Sequence, residues 1–318
     1  TYNWTNNNTA IGLAASNSGN IASFNGTNGT NSPISGLITV TPQVILGGTT
    51  CNGPPQTFTI TVNPIPTVSA PADLVLCHNA NSGAISFTGA VANTTYTWAN
   101  NTSSIGLGAT GTGNISSFVA TNATNAPVTA LLSVTPTFGG CPGTSDFMNI
   151  TVNPVPTINA VANQAICVGS LSNPITFSST PAIVGTQYNW TQTNTSIGLN
   201  SSSSSGNIAA FNTVNTSNSV QLSEFTVTPV YTNLQHNCFG TPITFSINVI
   251  PTPTVVDPAN QVVCNNAAVL ATNFTGNITG TTYTWTNTLP SINLSAGSTG
   301  NIATFNAVNS TNAPVTAV

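Results

Sequence analysis

Lysine and arginine are absent from the 318 residues, and only four carboxylates occur: Asp73, Asp146, Glu224 and Asp257. Basic residues ordinarily supply about a tenth of a globular chain. Without them there is no phosphate clamp, no Schiff-base lysine, no cationic patch for nucleic acid or anionic lipid, and no surface ion-pair network. There is also no cleavage site for trypsin-like proteases. A calcium site needs six to eight oxygens with several carboxylates, which four scattered acids do not provide. Two histidines and four acids spread over the chain do not converge on a Ser–His–acid or paired-carboxylate centre. The expectation is therefore no enzyme, no cofactor and no resident metal. No apolar run reaches the roughly 18 residues of a membrane span, so no membrane insertion is expected in this segment. Thr1 opens no basic or apolar leader.

What is present is enough for packed cores: 39% of residues are apolar and 13 are Phe. Disorder at low charge goes with few aliphatics and no periodicity, and this chain is strongly periodic. The pair Tyr-x-Trp recurs as Tyr2/Trp4, Tyr96/Trp98, Tyr188/Trp190 and Tyr283/Trp285. Gly-Asn-Ile recurs at Gly19, Gly113, Gly206 and Gly300, each time with Phe24, Phe118, Phe211 or Phe305 three residues past the Ile. Successive copies lie 92 to 95 residues apart. Thr-Pro recurs at Thr41, Thr135 and Thr228. A link Asn63-Pro64-Ile65-Pro66-Thr67 is echoed at Asn153–Thr157 and more loosely at Ile250–Thr254. Four landmarks in one order mark a tandem array.

Inside a copy, apolar residues alternate with Thr. Phe58, Ile60 and Val62 correspond to Met148, Ile150 and Val152, and to Phe245, Ile247 and Val249. The preceding stripe reads Ile38 and Val40, Leu132 and Val134, Phe225 and Val227. This is the period of half-buried strands, with β-branched Thr suited to the exposed side. Glu224 falls on the outward parity with Leu37 and Leu131. No amphipathic helix of even ten residues can be written. About seven short strands per copy with a Trp on the third predict an all-β fold of tandem immunoglobulin-like β-sandwiches. In the second copy the strands are expected at 67–77, 84–89, 94–100, 114–120, 128–137 and 145–153. The Ile115 to Phe118 spacing breaks alternation and predicts a bulge or a 3₁₀ turn there.

The expected domains are a partial repeat at 1–63 that begins in strand C, whole repeats at 64–153 and 154–250, and a partial repeat at 251–318 that stops in strand F. The sequence thus reads as a window on a longer chain. Stiff Pro-x-Pro links predict an elongated rod growing by roughly 40 Å per domain. The four tryptophans, Trp4, Trp98, Trp190 and Trp285, share a sheet face with their tyrosines and are expected in the cores.

Ile166-Cys167-x-Gly169, Tyr188-x-Trp190, Gly206-Asn207-Ile208, Thr228-Pro229 and the Asn-Pro-x-Pro link resemble the PKD-like, Ig-like repeats of very large surface proteins of Bacteroidetes. The resemblance covers the whole chain, although the Trp-x-Phe-Gly-Asp-Gly signature of many PKD domains is missing. It implies an extracellular structural shaft at the bacterial cell surface, exported by type IX secretion and similar to a gliding-motility adhesin. Its partners would be neighbouring repeats and a motility or anchoring machinery. Two other functions fit the Thr- and Asn-rich surface: a glycan-binding module and an ice-binding array.

The six cysteines obey one rule. Cys51, Cys141 and Cys238 each precede Cys77, Cys167 and Cys264 by 26 residues. The first set is expected in F–G turns and the second where strand A meets B. Regular cysteines in a secreted array predict disulfides. Two arrangements stand beside free thiols: intradomain bonds Cys77–Cys141 and Cys167–Cys238, or a junction bond Cys77–Cys238 between successive repeats. The junction bond would gather His78 and His236 into a Cys₂His₂ set, but Val168 and Asn265 replace His78 in the other copies, so no metal is expected. Sequons such as Asn3-Trp4-Thr5 read as chance products of Asn and Thr richness.

Overall fold

The computed structural model describes all 318 residues, which divide into two compact units. The first comprises 1–157, 179–186 and 229–240; the second comprises 158–178, 187–228 and 241–318. Regular structure is β-strand throughout, apart from four three-residue 3₁₀ turns. No helix is long and apolar enough to cross a membrane.

The first unit opens with β1 Tyr2–Asn6, β2 Ser16–Ser18, β3 Ile34–Leu46, β4 Thr49–Asn52 and β5 Gln56–Val62. They form a sheet in the order β2-β1-β3-β4 with β5 also on β3. Trp4, Ile11, Leu13 and Ile38 make its small core. Phe58 has the inward parity of Met148 and Phe245 yet is 47% exposed.

Next come β6 Leu74–Cys77, β7 Thr95–Asn100, β8 Thr110–Thr112, β9 Val128–Phe138, β10 Cys141–Pro142 and β11 Asp146–Asn153. The sheet order is β6-β11-β9-β7-β8, antiparallel except that β6 runs parallel to β11. The facing layer is tied only by bridges, Ser69 to Thr88, Ile85 to Ile115 and Asn81 to Val119. Between the layers lie Ile85, Phe87, Ile115, Leu132, Val134, Met148, Ile150 and Val152, all buried. Each such aliphatic or aromatic side chain contributes about 1.5–3 kcal/mol by leaving water.

The facing layer corrects two expectations. The segments 84–89 and 114–120 make no continuous strands, and no bulge or 3₁₀ turn sits at 115–118, since the Ile85–Ile115 register continues unchanged to Asn81–Val119. Side chains replace the missing ladder bonds, a competition open to Ser and Asn. Phe118 N–H donates to Ser82 Oγ and Phe87 N–H to Asn114 Oδ1, both at 3.0 Å. The 3₁₀ turn lies earlier, at Ser103–Ile105, where it buries Ile105 completely. The predicted strand over 67–77 divides in two: Ser69 bridges the facing layer, and β6 then crosses to the edge of the main sheet.

In the second unit, β12 Gln164–Cys167, β13 Gln187–Gln192, β14 Ser203–Ser205, β15 Gln221–Asn233 and β17 Ile243–Ile250 repeat the order β12-β17-β15-β13-β14. β16, His236–Phe239, pairs with the far part of β15, and this hairpin belongs to the first unit. Phe225 stacks on Phe245 at 4.8 Å in the core, and Glu224 between the inward residues is exposed. The last stretch holds only the pairs β18 Ala268–Val269 with β21 Phe305–Asn306, and β19 Thr284–Thr286 with β20 Gly297–Thr299. None of the side chains of β18–β21 is buried.

Candidate functional site

The chemically distinctive place is the end of β6 and β11 in the first unit, where the hairpin 229–240 meets it. The hairpin closes through Leu234 and Gln235, both at positive φ (48° and 60°), between the paired residues Asn233 and His236. Two-residue turns of this kind favour Gly and Asn, and the equivalent turns elsewhere are Gly47-Gly48 and Gly139-Gly140. Leu and Gln here hold a strained conformation. The turn sets His236 and Cys238 on one strand, two residues apart.

Cys238 is bonded to Cys77, with Cα atoms 5.6 Å apart and the two 161 positions apart in sequence. Cys77 ends β6 and lies opposite Asn153, the last residue of β11. The bond excludes Cys167–Cys238, and the parallel register excludes Cys77–Cys141. Cys141 lies before Asp146, the start of β11, so the eight-residue strand puts it roughly 24 Å or more from Cys77, far outside bonding range. Cys141 and Cys167 are unpaired, as are Cys51 and Cys264. Asn153 is fully buried and its Oδ1 accepts from Asn233 Nδ2 at 2.8 Å. The equivalent Asn63 donates from Nδ2 to Gly139 O at 3.2 Å. The asparagine of each Asn-Pro link thus reaches the F–G hairpin of the following repeat.

The two histidines part company. His236 lies with Cys77 and Cys238, the three potential ligand atoms all within 4.8 Å of one another. His78 is pinned elsewhere: its N–H donates to Asn153 O at 2.8 Å and its Nδ1 accepts from Asn122 N–H at 2.9 Å. A Cys₂His₂ set is therefore not assembled. Asp73 and Asp146 fasten the segment leading into β6 to β11. Hydrogen bonds from Asn149 N–H and then its side-chain amide hold Asp73 below the usual carboxylate range. Those from Ala70 N–H and then Phe147 N–H do the same for Asp146.

Trp4 and Trp190 are 4% exposed; Trp98 packs half-buried on its core and Trp285 is half-buried. The Gly-Asn-Ile landmark has a mechanical reading. The glycine, at φ near 70–80°, donates to the tyrosine carbonyl of strand C. The Asn then accepts a backbone N–H from the opposite layer (Phe87, Phe177 or Phe274). A further landmark was hidden among the sequons. Asn28, Asn122, Asn215 and Asn309 each begin Asn-x-Thr/Ser at the repeat interval. In the first three, the amide donates both to a carbonyl four residues on and to the end of the last strand, as Asn122 does to Ala126 O and Val152 O. These sequons are loop locks, not compositional accidents, and their recurrence at one interval was the available signal.

No family model and no curated protein matches the chain. Among solved structures it is similar to Sidekick-1 immunoglobulin domains 1–5 (TM-score 0.35, 12% identity, 87% of this chain and 60% of that one). It is also similar to the chicken CNTN1 FN1–FN3 domains (0.29, 11%, 68% and 76%) and the human Desmocollin-1 ectodomain (0.25, 10%, 88% and 60%). The chain spans about three-fifths of the Sidekick-1 and Desmocollin-1 chains. Scores this low carry no weight for function. The assignment to all-β sandwiches rests on the strand order and the two-layered cores described above.

Proposed function

We propose that this chain is a load-bearing structural segment of an extracellular, adhesion-type repeat protein. Its units are the repeats 1–63, 64–153, 154–250 and 251–318, its partners are neighbouring repeats of the same chain, and it has no catalytic role. The Cys77–Cys238 bond carries this reading, because it ties the end of one repeat to the hairpin of the next. Such a bond belongs to an oxidising compartment. The neutral surface adds little electrostatic adhesion between segments. A place on a bacterial surface filament, type IX export and gliding motility are the finer form of the proposal and rest on the PKD-like resemblance.

A glycan-binding module is the second reading. Its support is a shallow groove on the outer sheet face, present in two repeats. One, of about 480 Å³, is lined by Asn189, Thr191, Ser203, Ser205, Thr226 and Thr228. The other, of about 410 Å³, is lined by the equivalent Thr97, Ala99, Thr110, Thr112, Ser133 and Thr135. Stretching single molecules from their termini separates the readings. Discrete unfolding steps that recover on relaxation are expected, those of the two complete repeats only once the Cys77–Cys238 bond is reduced. A chain that lengthens smoothly would remove the load-bearing role, and saturable binding of neutral oligosaccharides would transfer it to the grooves.

A further inference from the structure

We propose that reduction of the Cys77–Cys238 bond converts this junction into a zinc site, with both thiolates and the His236 imidazole as ligands. The three ligand atoms already lie within 4.8 Å of one another. Tetrahedral zinc, with bonds of about 2.3 Å to sulfur and 2.0 Å to nitrogen, places its ligands roughly 3.5–3.8 Å apart. The two bonded sulfurs must separate and the imidazole must close in from within 4.8 Å, and the ligand softness selects zinc over calcium or magnesium. Cys238 is buried and Cys77 half-buried, whereas His236 is exposed. The fourth coordination position therefore opens to solvent and takes water. Neither of the hairpins 43–52 and 137–142 contains a histidine.

The chemistry balances with a phosphine reductant. The phosphine gives two electrons to the S–S bond and becomes a phosphine oxide with oxygen from water, leaving two thiols. Zinc then displaces both thiol protons. The cation would hold the hairpin on the end of β6 where the covalent bond is lost, so the joint persists in a reducing compartment. This does not depend on the load-bearing reading, since metal binding is measured without force.

The test uses the full chain with Cys51, Cys141, Cys167 and Cys264 changed to Ser, reduced anaerobically with a phosphine. Zinc is titrated against a chromophoric chelator, and cobalt(II) serves as a spectroscopic probe. One zinc per chain is expected, released on reoxidation, with thiolate-to-cobalt charge-transfer bands and intense tetrahedral d–d bands. C77S and C238S should abolish stoichiometric binding. H236N should weaken it by more than about a hundredfold, beyond the roughly 10–100-fold of an outer-shell change, while H78N should leave it unchanged. Tryptophan fluorescence reports whether each variant is folded. Absence of stoichiometric zinc in the four-serine chain, equal affinity in H236N, or octahedral cobalt spectra would each overturn the proposal, even if C77S or C238S failed to fold.

Discussion

A chain pulled from its ends should be shortened by its own disulfide. Force entering at Thr1 reaches Cys77, crosses to Cys238 and leaves through Val318, so the intervening residues carry no load. The cysteines are 161 residues apart in sequence and 5.6 Å apart in space. At 3.3–3.6 Å per extended residue, the bond withholds roughly 530–580 Å of contour length. Most of two sandwich cores, including Ile85, Leu132, Phe225 and Trp190, lies inside that loop and should not contribute unfolding steps. In bulk, closing so long a loop stabilises by about 5 kcal/mol in the chain-entropy limit. Cys238→Ser, or reduction without added metal, should release both quantities together. The assay is single-molecule stretching with the total extension of oxidised, reduced and variant chains compared, and urea unfolding beside it. Equal total extension in all three would refute the connectivity. A gain of roughly 210–260 Å would point to a bond within one repeat.

Replacing Leu234 and Gln235 with Asn and Gly relieves two left-handed residues, and should raise stability by about 1–2 kcal/mol in urea unfolding. Asn122→Ala strands the Val152 and Ala126 carbonyls, and should cost about 2–3 kcal/mol, with faster amide exchange at the end of β11. Asp73 and Asp146 have folded-state pKa values lowered by hydrogen bonds from Asn149, Ala70 and Phe147. Their contribution is present above the unfolded carboxylate pKa of about 4 and is lost as pH falls through the lower folded values. Stability measured from pH 6 down to pH 2 should therefore drop in the acid range, and the D73N/D146N double variant should show a flatter curve.

Local pattern made much of the fold legible. Alternation in Phe225-Thr226-Val227 or Met148-Asn149-Ile150 writes a strand because successive side chains point to opposite faces. The interval between Tyr-x-Trp pairs writes the array. Legibility failed where side chains stand in for the backbone. Ser82 and Asn114 take over the hydrogen bonds of the facing layer, so 84–89 and 114–120 look like strands in sequence but pair only at isolated points. The Asn122-type locks escaped notice for a related reason: Asn and Thr are so common here that a recurring pair of them was read as noise.

By itself the sequence determined that this is a neutral all-β repeat array, because charge and period are properties of the chain alone. It limited the cysteine pairing to a few arrangements but did not choose among them. The choice came from tertiary structure: β6 runs parallel to β11, which carries Cys77 to the end where Asn153 leaves the sheet and away from Cys141. The hairpin bearing Cys238 docks at that same end and brings His236 with it, while Asn122 and Asn153 hold His78 in place. Proximity between residues 161 positions apart depends on where the 229–240 hairpin docks within the first unit, and no local pattern encodes that.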